Sequence, residues 1–215
     1  MSEVKDLVEI SKYAGERFDL VQAGGGNSSV KLQNDEMLIK ASGFLLSDME
    51  ENNGFSKVNT RKIANIAVNR NITEEPNKRK RESIAAALVK EATLDKKNRP
   101  SIETLLHSFL YKYTLHTHPI VVNMIVVRKD CEKILTSIFK DEDIAFVPYK
   151  TPGIELALEL NKVLKNFKII PKIIFLQNHG LIVTSPNKPD IKVLTEQVLE
   201  KIEAYLKLDM SKYKL

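Results

Sequence analysis

His116-Thr117-His118-Pro119 sets two imidazoles two positions apart, just after the apolar-periodic run 101–113. On a β-strand, residues i and i+2 point to the same face, and proline cannot donate to a continuing ladder. The tetrapeptide therefore reads as a strand end that presents His116 and His118 side by side. Two neutral imidazoles on one face are half of a metal site, and zinc takes histidine nitrogen readily.

Working outward, the missing half lies downstream. Lys172–Gln177 is an apolar strand that runs into Asn178-His179-Gly180, and Leu181–Thr184 continues as strand. His179 is the natural third ligand, beside a glycine that leaves room near its ring. Three histidines with one open position make a catalytic rather than a closed structural zinc arrangement. Upstream, Pro100–His107 opens a helix in which Ile102, Leu105, Leu106, Phe109 and Leu110 keep helical spacing. Ser101 reads as its N-cap, and Glu103 lies in the first turn, where it complements the helix dipole. His107, four residues on, faces the same side as Glu103.

The remaining chain alternates helices and strands. Residues 2–18 form an amphipathic helix with Val4, Leu7, Val8, Ala14 and Phe18 near one face. Ala23-Gly24-Gly25-Gly26-Asn27-Ser28-Ser29 follows, which lacks the Gly-Lys-Ser/Thr of a Walker loop. Two readings stay open for it: a plain glycine turn, or a loop whose N–H groups approach a ligand. Ser28–Leu32 and Met37–Ala41 pair as a hairpin, and Ser42-Gly43 at its end is a second candidate for anion contact. Asn59–Asn71 reads as one helix, and within the charged segment 73–98 only Ile84–Val89 shows a helical pattern. Ile120–Val127, Cys131–Phe139 and Ile154–Phe167 are helices, Asp143–Pro148 is a short strand, and Pro189-Asp190 opens a long final helix.

Composition bounds the function classes. The 215 residues are 43% hydrophobic, which fits a substantial core, and we expect one domain over 1–215. No run approaches the ~18 apolar residues of a membrane span. The charged N-terminus and the single cysteine, Cys131, fit a reducing cytoplasm. Cys131 reads as structural. The net charge of +5 is concentrated in Lys78–Arg81 and in Lys96, Lys97 and Arg99. Acidic residues interleave with these and no aromatic lies between 56 and 108, so we expect a solvated helix face, not a nucleic-acid surface. The same charge can draw an anionic substrate inward.

Six segments, in order, resemble the class II aldolase/adducin family: Gly25-Gly26-Asn27-Ser28-Ser29-Val30, Lys40-Ala41-Ser42-Gly43, Pro100-Ser101-Ile102-Glu103, His116-Thr117-His118-Pro119, Val147-Pro148-Tyr149 through Gly153, and Gln177-Asn178-His179-Gly180. Each is weak singly; their order over most of the chain makes the match specific. The family is typified by L-fuculose-1-phosphate aldolase. The motifs are most similar to those of the aldolase part of rhamnulose-phosphate aldolase/lactaldehyde dehydrogenase proteins, where an aliphatic residue such as Ile102 is usual.

The resemblance implies an α/β fold: a three-layer α/β/α arrangement around a central, mostly antiparallel sheet. It implies that His116, His118 and His179 ligate Zn2+, or another divalent cation, and that Glu103 is the acid/base. Gly26, Asn27, Ser42, Gly43 and Ser101 would form a phosphate site. Ile102 departs from phosphate-binding members, which carry a second hydroxyl residue there. The implied reaction is reversible retro-aldol cleavage of a ketose, expected as its 1-phosphate, into a dihydroxyacetone-type product and an aldehyde. The metal would replace an iminium-forming lysine. Sugar-phosphate 4-epimerases and dehydratases share the scaffold, and adducin-like domains keep the fold without the metal. A small sugar or sugar phosphate is the expected partner, with no nucleic acid, no membrane and assembly as a homotetramer.

Overall fold

The computed structural model describes residues 2–95 and 97–214. Lys96, part of the basic stretch noted above, lies outside the described residues. In chain order the elements are α1 (Ser2–Gly15), β1 (Asn27–Lys31), β2 (Glu36–Lys40), β3 (Phe55–Asn59), α2 (Thr60–Ile66), α3 (Arg70–Thr73), α4 (Lys78–Ala92), α5 (Thr104–Ser108), β4 (Tyr113–Thr117), α6 (Ile120–Val126), α7 (Cys131–Ile138), β5 (Ile144–Val147), α8 (Ile154–Leu164), β6 (Ile173–Leu176), β7 (Gly180–Ser185) and α9 (Lys188–Leu206).

The strands form a seven-stranded sheet in the order β3-β2-β1-β4-β7-β6-β5. Every pairing is antiparallel except β5 with β6. Period-2 alternation sends successive side chains to opposite faces. Val30, Leu38, Leu115, Phe175, Leu181 and Val183 pack beneath α1, α6, α7 and α9. Met37, Ile39, Val58, Ile174, Leu176 and Ile182 pack against α2, α4, α5 and α8 on the other face. The mixed α/β, mostly antiparallel three-layer expectation therefore holds. Central β4 and β7 are buried at every position, because helices cover both faces.

Several local expectations are corrected. The first helix stops at Gly15, where a Cβ would press within 2.8 Å of the Leu46 Cβ; Phe18, placed on its buried face, is 61% exposed. The helix read over Asn59–Asn71 is two short helices, because Asn69 leaves helical geometry and its side chain accepts from Asn71 N to start the second. The charged segment contains a 15-residue helix, α4, capped by Asn77. Its pattern was obscured because Ala85 and Ala92 alone are fully buried, a stripe too narrow to read. Polar contacts dock it instead: Arg81 pairs with Glu155, and Glu82 accepts the Ile154 amide at 3.1 Å to open α8. Strand β3 was not anticipated; it follows the positive-φ turn at Gly54 and buries just Ser56 and Val58 as it pairs with β2.

The largest local difference concerns α5. The spacing predicted a helix from Ser101 through Leu110, whereas the regular turns span Thr104–Ser108. At the front, Ala41 bridges to Pro100 and Ser42 N donates to Arg99 O at 2.9 Å, which holds the chain extended. Ser101 is not the N-cap: its Oγ accepts from Glu103 N at 3.3 Å in a preceding turn, and Glu103 occupies the cap position without capping. At the far end Lys31 Nζ donates to Ser108 O and Leu110 O and closes the helix.

Candidate functional site

β4 and β7 are adjacent and antiparallel, so the end of β4 meets the start of β7, with His116 opposite Ile182 and Thr117 opposite Leu181. His116 sits inside the strand. His118 lies one residue beyond it, its amide turned to Leu20 O at 3.0 Å, so it is not on the strand as expected. Its ring nevertheless returns to the His116 side. His179 closes a three-residue connection between β6 and β7. Asn178 makes that turn at φ 55°, the left-handed region that asparagine tolerates.

The three rings converge through their Nε2 atoms: His116 to His118 at 3.0 Å and His116 to His179 at 3.2 Å. Glu103 completes the group, its Oε1 at 3.3 Å from both His116 Nε2 and His179 Nε2. Thus the carboxylate does not serve its own helix dipole; it is turned onto the imidazoles. His116 is fully buried and Glu103 only 9% exposed.

The backbone fixes these rings. The Leu181 carbonyl accepts a hydrogen bond from His116 Nδ1 at 2.9 Å, which aims the Nε2 lone pair into the cluster. A Cβ on Gly25 would lie 2.8 Å from His118 Nδ1, and one on Gly180 would strike the Thr117 carbonyl and lie 2.9 Å from His118 Cδ2. The room beside Gly180 is thus used by Thr117 and His118 rather than by the ring of His179.

Burial would lift the Glu103 carboxyl, but His116 and His179 outweigh it and hold the group well below the usual carboxylate range. For His116, burial pulls downward and the Glu103 carboxylate wins, raising its affinity for a proton. Burial, then the neighbouring His116 and His179, push His118 down to about 3. A pocket that favours positive charge beside a carboxylate, and presents bare nitrogen lone pairs, is suited to a cation. Tetrahedral zinc at ~2.0–2.1 Å from nitrogen sets ligand atoms ~3.3–3.4 Å apart. The separations from His116 Nε2, 3.0, 3.2 and 3.3 Å, are within a few tenths of that edge, and the ligand atoms of the three histidines all lie within 4.8 Å of one another. Among the described residues, His116, His118 and His179 are the group able to hold a metal ion.

The candidate anion residues gather at the same end of the sheet. Asn27 pairs with His116 across β1 and β4, and its Oδ1 accepts Ser28 N at 2.8 Å. Gly26 needs its φ of 77°, and a Cβ there would meet His116 O at 2.9 Å. Ser42 and Gly43 follow β2, which runs antiparallel to β1, and the Ala41–Pro100 bridge places them beside Ser101. Sequence reasoning missed Leu181, whose contribution is a carbonyl and leaves no side-chain signal. It also missed buried Lys31 and Lys40; a lysine inside an apolar strand pattern was the available sign.

A seven-stranded, mostly antiparallel α/β/α fold with a three-histidine, one-glutamate cluster at one end defines a class II aldolase-type scaffold. The chain belongs to the family described as Class II Aldolase and Adducin N-terminal domain, which it matches over residues 5–206. It is 27% identical over 213 residues to the uncharacterized oxidoreductase YuxG of Bacillus subtilis (strain 168), covering 94% of this chain but 29% of that protein. This chain therefore spans less than a third of that relative. Its structure resembles the N-terminal class II aldolase domain of a conserved protein from Thermoplasma acidophilum, with TM-score 0.78 and 24% identity over 95% of this chain and 93% of the other. It also resembles an L-fuculose 1-phosphate aldolase, with TM-score 0.65 and 16% identity over 95% and 85%. Among the described residues no helix is long and apolar enough to cross a membrane.

Proposed function

We propose that this protein is a zinc-dependent lyase that cleaves a carbon–carbon bond of a ketose by reversible retro-aldol chemistry. The observation that carries the reading is the meeting of three Nε2 atoms with Glu103 Oε1 at 3.3 Å from two of them. His116, His118 and His179 would hold the cation, which when bound would supply Lewis acidity to stabilise the charge left on the ketone fragment. Glu103 takes and returns the proton at the nucleophilic carbon. Its burial keeps bulk water from competing for that proton. Asn27, Gly26, Ser42, Gly43 and Ser101 bind the end of the substrate that carries phosphate. The products are a dihydroxyacetone phosphate-type ketone and an aldehyde. The reading extends to one domain over 1–215, working as a homo-oligomer in the cytoplasm.

The test is a panel of ketose and pentulose phosphates incubated with the zinc-loaded protein. Aldehyde release that chelation abolishes supports the lyase. Isomerised sugar, or loss of water without cleavage, replaces it with an epimerase or dehydratase. Aldehyde release that persists in metal-free protein refutes the metal-dependent mechanism.

A further inference from the structure

The loop Ala41–Phe44 lies between two cations that the chemistry above leaves unused. Lys40, 4% exposed, sends its ammonium to carbonyl oxygens, Phe44 O at 2.7 Å and Ala41 O at 3.5 Å, rather than to a carboxylate. Burial weakens its hold on a proton, and the charges of Glu103 and Asp48 act against that. On the flank, the exposed guanidinium of Arg99 donates from Nη2 to Ser42 Oγ at 2.9 Å. Guanidinium has five N–H donors; among the described residues that hydroxyl is its one hydrogen-bond partner.

The loop also has room for a ligand. Gly43 holds φ 88°, and a Cβ added there meets nothing within 4 Å. Arg99 is tied to the loop twice, through its side chain and through Ser42 N to Arg99 O at 2.9 Å. It precedes Glu103 by four residues, at most ~14 Å of extended chain, and through Ser42 it adjoins the loop assigned above to the substrate's phosphate. Next to it Ile102, 56% exposed, offers no hydroxyl.

We propose that Arg99, with Ser42, binds the phosphate of the substrate and makes the enzyme select phosphorylated over neutral ketoses. The inference rests on the proposed function for the identity of the sugar and for a phosphate site at Ser42 and Gly43, to which it adds Arg99. A guanidinium presents parallel N–H groups that match phosphate oxygens, and it supplies the charge that a second hydroxyl at position 102 would not. Lys40 adds positive potential from beneath the loop.

The experiment is calorimetric titration of the zinc-loaded protein with inorganic phosphate at constant ionic strength. It compares wild type, Arg99→Ala and Arg99→Lys, with a melting curve for each. The expected result is roughly tenfold or greater weakening in Arg99→Ala, with partial recovery in Arg99→Lys, from loss of charge-assisted hydrogen bonds. Affinity should fall with added salt. KM for a ketose phosphate should rise in parallel while kcat and the melting temperature hold. Phosphate bound equally by wild type and Arg99→Ala overturns the proposal, as does millimolar phosphate that wild type fails to bind. A lowered melting temperature with unchanged phosphate affinity reduces Arg99 to a loop tether and overturns it too. The two readings separate: Arg99-dependent phosphate binding without aldehyde release from any ketose phosphate overturns the lyase alone. Aldehyde release from neutral ketoses by a protein that ignores phosphate overturns the anion site alone.

Discussion

His107 makes the fold acid-sensitive by a calculable amount. Its side chain is fully buried, with Nδ1 2.7 Å from Ser29 Oγ and no partner for Nε2 among the described residues. Burial lowers it from the ordinary 6.5 to about 3. Above pH 6.5 both folded and unfolded chains carry it neutral. As pH falls from 6.5 toward 3, the unfolded chain takes up a proton that the folded chain refuses, so stability is lost in that window. At ~1.4 kcal/mol per pH unit, the loss by pH 4.5 is about 3 kcal/mol. His107→Asn keeps a hydrogen-bonding group near Ser29 and removes the titration. Urea unfolding of both proteins in chelator, at pH steps from 7.5 to 4.5, measures the difference. The variant starts less stable by roughly 1–3 kcal/mol through lost packing. It should then lose about 3 kcal/mol less than wild type on acidification, so the curves converge or cross. Parallel curves would show that His107 titrates normally and that the burial argument fails.

Other perturbations have distinct signatures. His116→Ala should release bound zinc, measured by elemental analysis, and abolish aldehyde release together with it. Glu103→Gln should retain zinc at wild-type stoichiometry yet stop solvent proton exchange into the ketone product, read by NMR in deuterium oxide. Gly180→Ala puts a methyl group against the Thr117 carbonyl and His118 Cδ2; it should weaken zinc affinity, and a variant that binds zinc as wild type does would contradict the packing. Burial brings the Lys31 ammonium down to about 8. Between that pH and the ordinary lysine range the unfolded chain holds more protons, so stability should rise with pH there; Lys31→Met should remove the rise in unfolding experiments.

The cluster was legible because its chemistry is concentrated in few side chains. His-x-His before proline, and Asn-His-Gly between two apolar runs, keep their meaning wherever the strands end. The fold class followed from the order of six segments that resemble a known family, and the alternating periodicities supplied individual elements. Boundaries were less legible where a tertiary contact overrides local pattern. The apolar spacing through Ile102 and Leu110 looks helical, but the Ala41–Pro100 bridge holds one end extended and Lys31 closes the other. Helix α4 escaped because its docking depends on Arg81 and Glu82 rather than on an apolar stripe. Strand β3 escaped because an edge strand with two buried residues has little pattern to show. Arg99 read as part of a solvated basic stretch until its bond to Ser42 was placed.

The sheet order has a kinetic consequence. β4 and β7 are neighbours in space, yet His116 and His179 are 63 residues apart along the chain, with β5 and β6 displaced outward. Contacts of such long range close late, after loop entropy has been overcome. The metal cluster is therefore absent from any chain that ends before His179, and absent from a folding chain until the central strands have joined. The rate at which a refolding sample captures zinc should accordingly report the closing of the sheet itself, making the cation a clock for the slowest tertiary step.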